Sequence, residues 1–253
     1  MENIIEVIDL ERSYKTDAID KGEKDRIFEV LKGINFSVKS GEFVAIMGKS
    51  GCGKTTLLKS LGMVDNPNKG KILFEGEDTK TLSGNVLAYI RRNKMGFIFQ
   101  DYNLMDSISV RENIILPMIL NNEEGDKMME KCDYYAKLFN IEKLLDKNPY
   151  QLSGGEKQRV AISRAIINDP DLILADEPTG NLDSKSSKVV MEIIKEINEK
   201  FKKTIIMVTH DPSIASQCSR VIFLKDGSIH GECKKDESQE ELYNQVLEKL
   251  AEL

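Results

Sequence analysis

The stretch GKSGCGKTT, Gly48–Thr56, spaces small residues around a lysine that two hydroxyl residues follow. Such glycines let backbone N–H groups close on phosphate oxygens with no side chain in the way. Lys54 is placed to neutralise charge on the β- and γ-phosphates, and the Thr55 hydroxyl to ligate Mg²⁺. Gly48, Lys49, Ser50, Gly51, Cys52, Gly53, Lys54, Thr55 and Thr56 therefore form one candidate nucleotide cradle. Lys49 adds a charge near its mouth, and Cys52 puts a thiol inside it. The neighbouring lysine and helix start would lower that thiol's pKa, and burial would raise it. The pattern follows a predicted strand, EFVAIM, and precedes a predicted helix from Gly53 towards Met63, the context this motif requires. That context disfavours the plainer reading, a glycine turn before a helix.

Three further signals share this chemistry. LILADE, Leu172–Glu177, ends a short apolar run in two acids. Asp176 can hold a Mg²⁺ shell, and Glu177 is placed to accept a proton from an attacking water. Gln100, at the end of GFIFQ, offers an amide to both metal and water. His210, at the end of TIIMVTH, stands at the corresponding place on another strand. Taken singly, a histidine or glutamine there reads as a polar core residue or a cap; together these groups describe a ring around one phosphate. LSGGEKQR, Leu152–Arg159, then poses a puzzle. Its serine and paired glycines also open a helix in the manner that binds phosphate, although the chain already has a phosphate loop.

The elements that must position these groups follow from periodicity. IIEVIDL, EVLKGINFSV and EFVAIM read as strands, with KTDAIDKGEKDR between the first two as an exposed hairpin excursion. KILFEG returns as a strand. From Asp101 to about Gln151 the pattern turns helical, clearest in VRENIILPMIL and KMMEKCDYYAKLFN, and this reads as an inserted lobe. A helix starts at Ser153, DLILAD fits a buried parallel strand, and Asp183–Phe201 puts Val190, Ile194, Ile197 and Phe201 on one helical face. TIIMVTH is another buried strand and RVIFLKDGSI a terminal hairpin. In the tail, Leu242, Val246 and Leu250 form one stripe that packs on its own core. The whole chain is expected to be one domain, 1–253. Residues 1–100 hold a β subdomain and the first part of the core, 101–155 a helical subdomain, 156–235 the rest of the core and 236–253 a C-terminal helix.

A net charge of −6 argues against nucleic acid as the main partner, since phosphate contacts demand a basic surface. The opening MENIIEVIDLERSYK lacks a basic region followed by an apolar core, so it does not read as a secretory signal. The longest apolar run, IILPMIL, falls far short of the ~20 residues that span a bilayer. Any membrane role is expected to be peripheral. The four cysteines form no C-x-x-C pattern and read as reduced thiols.

The ordered set Gly48–Thr55, Gln100, LSGGE, LILADE, NLD at Asn181–Asp183 and His210 resembles the ATPase subunit of an ABC transporter over nearly the whole chain. The resemblance implies an α/β fold of the P-loop NTPase type, with a RecA-like core, an antiparallel β subdomain and an inserted α-helical subdomain. It implies ATP and Mg²⁺ as cofactors and ATP hydrolysis as the activity. It also answers the puzzle. In that family two copies meet head to tail, and each nucleotide lies between one phosphate loop and the partner's signature loop. Ser153, Gly154 and Gly155 would thus serve ATP bound to a second copy of the chain. By the same resemblance Tyr14 would stack on adenine, Gln100 would signal to an integral membrane permease, and Asp183 would link the two sites. The segment Asp101–Pro117 would face that permease, placing the chain in the cytoplasm, on the inner face of the cell membrane.

GFIFQDYNLMDSISVRENIILP, GNLDSKSS and THDPSIASQCSRVIFLKDG resemble the ATPases that serve permeases with large extracytoplasmic domains, among them the macrolide and lipoprotein-release systems. The bacitracin-type subgroup of Gram-positive bacteria looks nearest, which implies resistance to, or export or release of, antimicrobial peptides. The alternatives are lipoprotein release and a permease of the cell-division type that transports nothing. A permease-free ATPase of DNA repair or translation is disfavoured: the chain has one cassette, no long heptad run and no zinc insertion.

Overall fold

Alternating apolar residues in NIIEVIDLERSYKT and RIFEVLKGINFSVK build two strands of 14 residues each, β1 (Asn3–Thr16) and β2 (Arg26–Lys39), paired antiparallel. Their inward faces, with Ile5, Val7, Leu10, Leu31, Ile34 and Val38, are buried. The computed structural model of the protein describes residues 2–16, 26–235 and 238–252. Most of the expected excursion between these strands, residues 17–25, lies outside the described residues. The backbone resolves into two compact units, Met1–Leu87 with Val208–Leu253, and Ala88–Met207.

In the first unit, β4 (Lys69–Phe74) and β5 (Glu77–Asp78) extend the antiparallel sheet in the order β2-β1-β4-β5. Strand β3 (Phe43–Met47) is buried at every position, as a strand covered on both faces must be. It runs into the glycine loop and then α1 (Lys54–Leu61), and it pairs in parallel with β9 (Arg220–Lys225). Strand β10 (Ser228–Lys234) returns antiparallel through Asp226 and Gly227, both at positive φ, the conformation a tight hairpin demands. A Cβ at Gly227 would also sit 2.4 Å from the Val30 carbonyl oxygen, so glycine is doubly required. Helix α8 (Gln239–Ala251) is capped by Ser238 and buries Leu242 and Val246 against its own unit, where it meets α7 (Pro212–Ala215) and β10.

The chain passes to the second unit through α2 (Gly84–Asn93), which the sequence reading does not contain; Ile90 is the one residue it buries. Strands β6 (Met95–Ile98) and β7 (Leu172–Asp176) are parallel, and β7 lies between β6 and β8 (Thr204–Val208). The helical lobe contains α3 (Val110–Ile119) and α4 (Gly125–Leu138), followed by two single 3-10 turns. Helix α3 opens with a capping box in which Ser109 accepts from the Glu112 N–H and Glu112 accepts from the Ser109 N–H. The fully buried Asn113 then knits the lobe, donating to the carbonyls of Met105 and Ser109 and accepting from the Met105 N–H at 2.8 Å. Helix α5 (Gly154–Ile166) packs on β6, α3 and α6 (Ser184–Phe201). A Cβ at Gly96 in β6 would meet the Ala165 carbonyl oxygen at 2.4 Å, which fixes how closely α5 approaches the strand.

Candidate active site

The first unit holds the phosphate loop. Gly51 and Gly53 have φ of 80° and 107°, a region that side-chain-bearing residues avoid, and Gly53 is the N-cap of α1. Gly48 answers a different need: a Cβ there would lie 2.2 Å from the Leu224 carbonyl oxygen and 2.6 Å from Cys52 Sγ. Lys54 is only 8% exposed, and its ammonium donates to the carbonyl oxygens of Gly48 at 2.8 Å and Lys49 at 3.0 Å. The loop thus curls around its own cation, while Lys49, Ser50, Gly51 and Thr55 are exposed and Thr56 half-buried. Cys52 is buried, and burial raises its thiol pKa against the pull of Lys54. Of the two opposed effects anticipated from sequence, desolvation is the larger.

His210 belongs to the same unit. Strand β8 ends at Val208, so the histidine stands two residues beyond the strand, and it is exposed. Thr209 just before it donates its N–H to the Ile46 carbonyl at 3.2 Å, which seats the segment beside the end of β3 and the start of the loop. Tyr14, also exposed, has its hydroxyl bonded to Asp65, while the Arg12 guanidinium lies over its ring at 4.5 Å. Arg12 in turn donates from Nε to Asp65 at 3.0 Å. One face of the tyrosine ring is therefore already covered by a cation, and its edge is pinned.

The second unit brings the remaining groups together. Asp176 is the last residue of β7 and Glu177 the first beyond it, with φ of +43°. That left-handed conformation is strained for glutamate, and such strain collects where function fixes a side chain. Gly180 donates to the Glu177 carbonyl at 2.9 Å, closing a tight turn. A Cβ on Gly180 would lie 3.0 Å from Gln100 Nε2 and 3.3 Å from Glu177 Oε2, so this turn presses both side chains into one space. Strand β6 ends at Ile98, and Gln100, like His210, stands two residues past its strand. Its amide Nε2 donates to Asn181 Oδ1 at 3.2 Å.

Ser153 is the N-cap of α5. Its hydroxyl oxygen accepts from the Glu156 N–H, and both its own N–H and its O–H donate to the Glu156 carboxylate at 2.8 Å. Those bonds hold the Glu156 carboxyl below its ordinary pKa. The glycines that follow are sterically demanded: a Cβ on Gly154 would meet the Tyr102 hydroxyl at 2.9 Å, and one on Gly155 the Ser186 hydroxyl oxygen at 2.8 Å. Asp183 caps α6, accepting from the N–H groups of Lys185 and Ser186 and from the Ser186 hydroxyl at 2.6 Å. The Ser186 hydroxyl bond leads the set that lowers the Asp183 pKa. The signature loop and Asp183 are therefore neighbours through Ser186. Sequence reasoning missed the S-x-x-E pattern of Ser153–Glu156 as a capping box, and it missed Asn181 and Gln158 as bridging side chains.

The set of groups is that of a nucleoside triphosphatase, and comparison with known proteins agrees. The family pattern described as ABC transporter matches residues 31–180. The ABC transporter ATP-binding protein YxdL of Bacillus subtilis is 46% identical over 253 residues, covering 100% of this chain and 95% of the relative. The bacitracin export ATP-binding protein BceA of Halalkalibacterium halodurans is 44% identical, covering 96% of this chain and 94% of its own length. Among solved structures, the dimeric ATP-binding cassette MJ0796 in a post-hydrolysis state bound to ADP and Pi superimposes with a TM-score of 0.82. That cassette, from Methanocaldococcus jannaschii, is 38% identical, and the match covers 92% of this chain and 100% of the cassette. Matched over its full length in sequence and over 92% of it in fold, the chain belongs to the ABC transporter family, as an ATP-binding subunit with ATPase activity.

Proposed function

We propose that two copies of the chain bind two ATP molecules head to tail and drive a membrane permease that protects cells against antimicrobial peptides. The curled loop around Lys54 carries the nucleotide part of this reading, because it buries a cation whose bond partners are loop carbonyls. In this reading Gly48–Thr56 wrap the phosphates, and Tyr14 offers adenine the ring face not covered by Arg12. Ser153, Gly154 and Gly155 face the γ-phosphate held by the partner copy, with Asp183 beside them. The dimeric state of the cassette MJ0796 supports the pairing.

The donors proposed for Mg²⁺ are the Thr55 hydroxyl, the Asp176 carboxylate and the Gln100 amide. Hard oxygen donors suit that ion, and among the described residues no three of His, Cys, Asp and Glu gather into a metal-binding group. Mg²⁺ usually completes its shell with phosphate and water in such a setting. When bound it neutralises charge developing on the phosphates. Glu177 accepts the proton of the attacking water, Gln100 orients that water, and His210 stabilises charge at the γ-phosphate.

Among the described residues no helix is long and apolar enough to cross a membrane, so a permease partner would supply the span. The second unit offers a groove of about 510 Å³ whose lining includes Arg91, Arg92, Phe97, Leu116, Pro117 and Leu120. Leu120 is 58% exposed at its rim. We take this groove as the permease seat, on the inner face of the membrane. It refines the surface expected at Asp101–Pro117. Arg111 is held by Asp133 at 2.7 Å and Glu112 is spent in the α3 capping box, so neither reports docking cleanly. The likeness to the bacitracin exporter supports the peptide part. The test is the inhibitory concentration of bacitracin-type peptides in cells carrying Leu120→Asp. Lost resistance with unchanged ATPase turnover of the purified chain is the expected result; unchanged resistance overturns the seat. Unchanged resistance on deleting the gene overturns the peptide reading.

A further inference from the structure

Gln158 is a polar side chain with no exposure at all, in the middle of α5. Its Nε2 donates to the Pro178 carbonyl oxygen at 2.8 Å and to the Phe99 carbonyl oxygen at 3.4 Å. Two facing carbonyls fix the amide orientation, since only the NH₂ end can donate. The Oε1 end is consequently turned to a place where, among the described residues, it accepts no hydrogen bond. Leaving a buried acceptor unpaired costs about 1–3 kcal/mol. A methionine would fill the same volume and spare that cost, while taking the donor from the Pro178 carbonyl, so packing and bonding roughly balance and do not by themselves favour glutamine here.

What the amide does is lace two loops. Phe99 immediately precedes Gln100, and Pro178 immediately follows Glu177. On the other side of the same loops, Asn181 accepts from Gln100 Nε2 at 3.2 Å and donates to the Gln100 carbonyl at 3.2 Å and to Asp101 Oδ1 at 2.9 Å. The Glu177 turn, at positive φ and with Gly180 against Gln100, is thus held from two directions. A strained conformation persists only where its surroundings over-determine it, and these two side chains supply that constraint.

We propose that Gln158 is a positioning residue for hydrolysis. It ties α5, whose first turn carries Ser153–Gly155, to both the Gln100 loop and the Glu177 loop. A displacement of the signature helix then moves the water-orienting amide and the proton acceptor together. The inference rests on the roles proposed above for Gln100 and Glu177, and it adds the physical link between them and the signature helix.

The test is Gln158→Met in the full chain, with melting temperature, KM for MgATP and kcat measured beside Glu177→Gln. We expect melting and KM to be retained and kcat to fall on the order of 10- to 100-fold, the scale of a misplaced catalytic group. A merely structural glutamine predicts the reverse, a lowered melting temperature with kcat unchanged, and that result overturns the proposal. If Gln158→Met lowers both, Asn181→Ala decides, because it cuts the same lacing from an exposed position: a fall in kcat with melting retained supports the link, and an unchanged kcat overturns it. Wild-type turnover by Glu177→Gln would instead remove the proposed base, a failure distinct from that of Gln158.

Discussion

Gly155 and Ser186 stand so close that a Cβ on the glycine would lie 2.8 Å from the serine hydroxyl oxygen and 2.9 Å from its Cβ. The serine has little room to yield, because its hydroxyl donates to Asp183 at 2.6 Å and its N–H to the same carboxylate. We therefore expect Gly155→Ala to force α5 and α6 apart and to destabilise the chain by about 1–3 kcal/mol, the usual range for overpacking. Urea unfolding measures it. Ser186→Gly in the same chain should recover part of the loss. An alanine variant as stable as wild type would show that the contact is soft.

Lys54→Ala should abolish nucleotide binding. The substitution removes the charge proposed to meet the phosphates, and it leaves the Gly48 and Lys49 carbonyls without their donor. The bond to Gly48 is buried and that to Lys49 part-buried, so some stability is lost, but both lie in the loop and not in a strand or helix, and the fold should survive, as circular dichroism would register. Titration with a fluorescent ATP analogue is the measurement. Wild-type affinity in a folded variant would withdraw the phosphate loop from the site.

What the sequence made legible followed the physics of each element. Strands β3, β7 and β8 are apolar runs because both faces are covered, and α6 shows a clean stripe because one face is. Helix α2 was legible and overlooked: Val86, Leu87 and Ile90 recur at helical spacing, although only Ile90 is buried. Gln100 and His210 were placed on strand ends, whereas both stand two residues further on, since the end of a hydrogen-bond ladder leaves no mark in composition. The paired glycines of the signature loop suggested phosphate, and the structure adds a second demand on them, the approach of Tyr102 and Ser186. Gln158 did leave a faint signal. It shares a helical stripe with Ala161 and Ile162, both fully buried, and a polar residue on such a stripe marks an amide with work to do.

Burial raises the pKa of all four thiols: Cys52, Cys218, Cys233 and Cys132, the last to about 11. A raised pKa means that the folded chain keeps protons that the unfolded chain has already released. Stability from these groups is thus complete below the ordinary thiol range and is lost as pH rises through the raised values. For Cys132 the loss should reach about 2–3 kcal/mol once pH exceeds its folded pKa. Denaturant unfolding at intervals from neutral pH upward should show stability falling above about pH 8.5. Cys132→Ala should flatten that decline while lowering stability at neutral pH. The same burial predicts slow alkylation of Cys52 at neutral pH, slower still with ATP bound, as peptide mapping by mass spectrometry would show. An unchanged slope in Cys132→Ala would remove that thiol from the alkaline transition.

Glu177 carries the sharpest expectation. Replacing it with glutamine keeps the shape and tolerates the same positive φ while removing the proton acceptor. Loss of a general base typically costs ~10²–10⁴-fold, so turnover should nearly cease while MgATP still binds. ATP would then persist between Lys54 of one copy and Ser153–Gly155 of the other. Glu177→Gln should elute as a dimer with MgATP and as a monomer with MgADP, measured by size-exclusion chromatography with light scattering. The capping box dictates how the signature loop is probed. Ser153→Arg removes the N-cap as well as the hydroxyl, a loss of about 1 kcal/mol in its own right. Ser153→Asp retains a capping oxygen and sets a carboxylate against the partner's γ-phosphate, so charge repulsion alone is tested. Added to Glu177→Gln, it should abolish the ATP dimer, and Ser153→Asn, a cap without charge, should abolish it far less. A dimer indifferent to both nucleotide and Ser153→Asp would mean that Ser153 only caps α5, and that the paired-copy answer to the two phosphate loops is wrong.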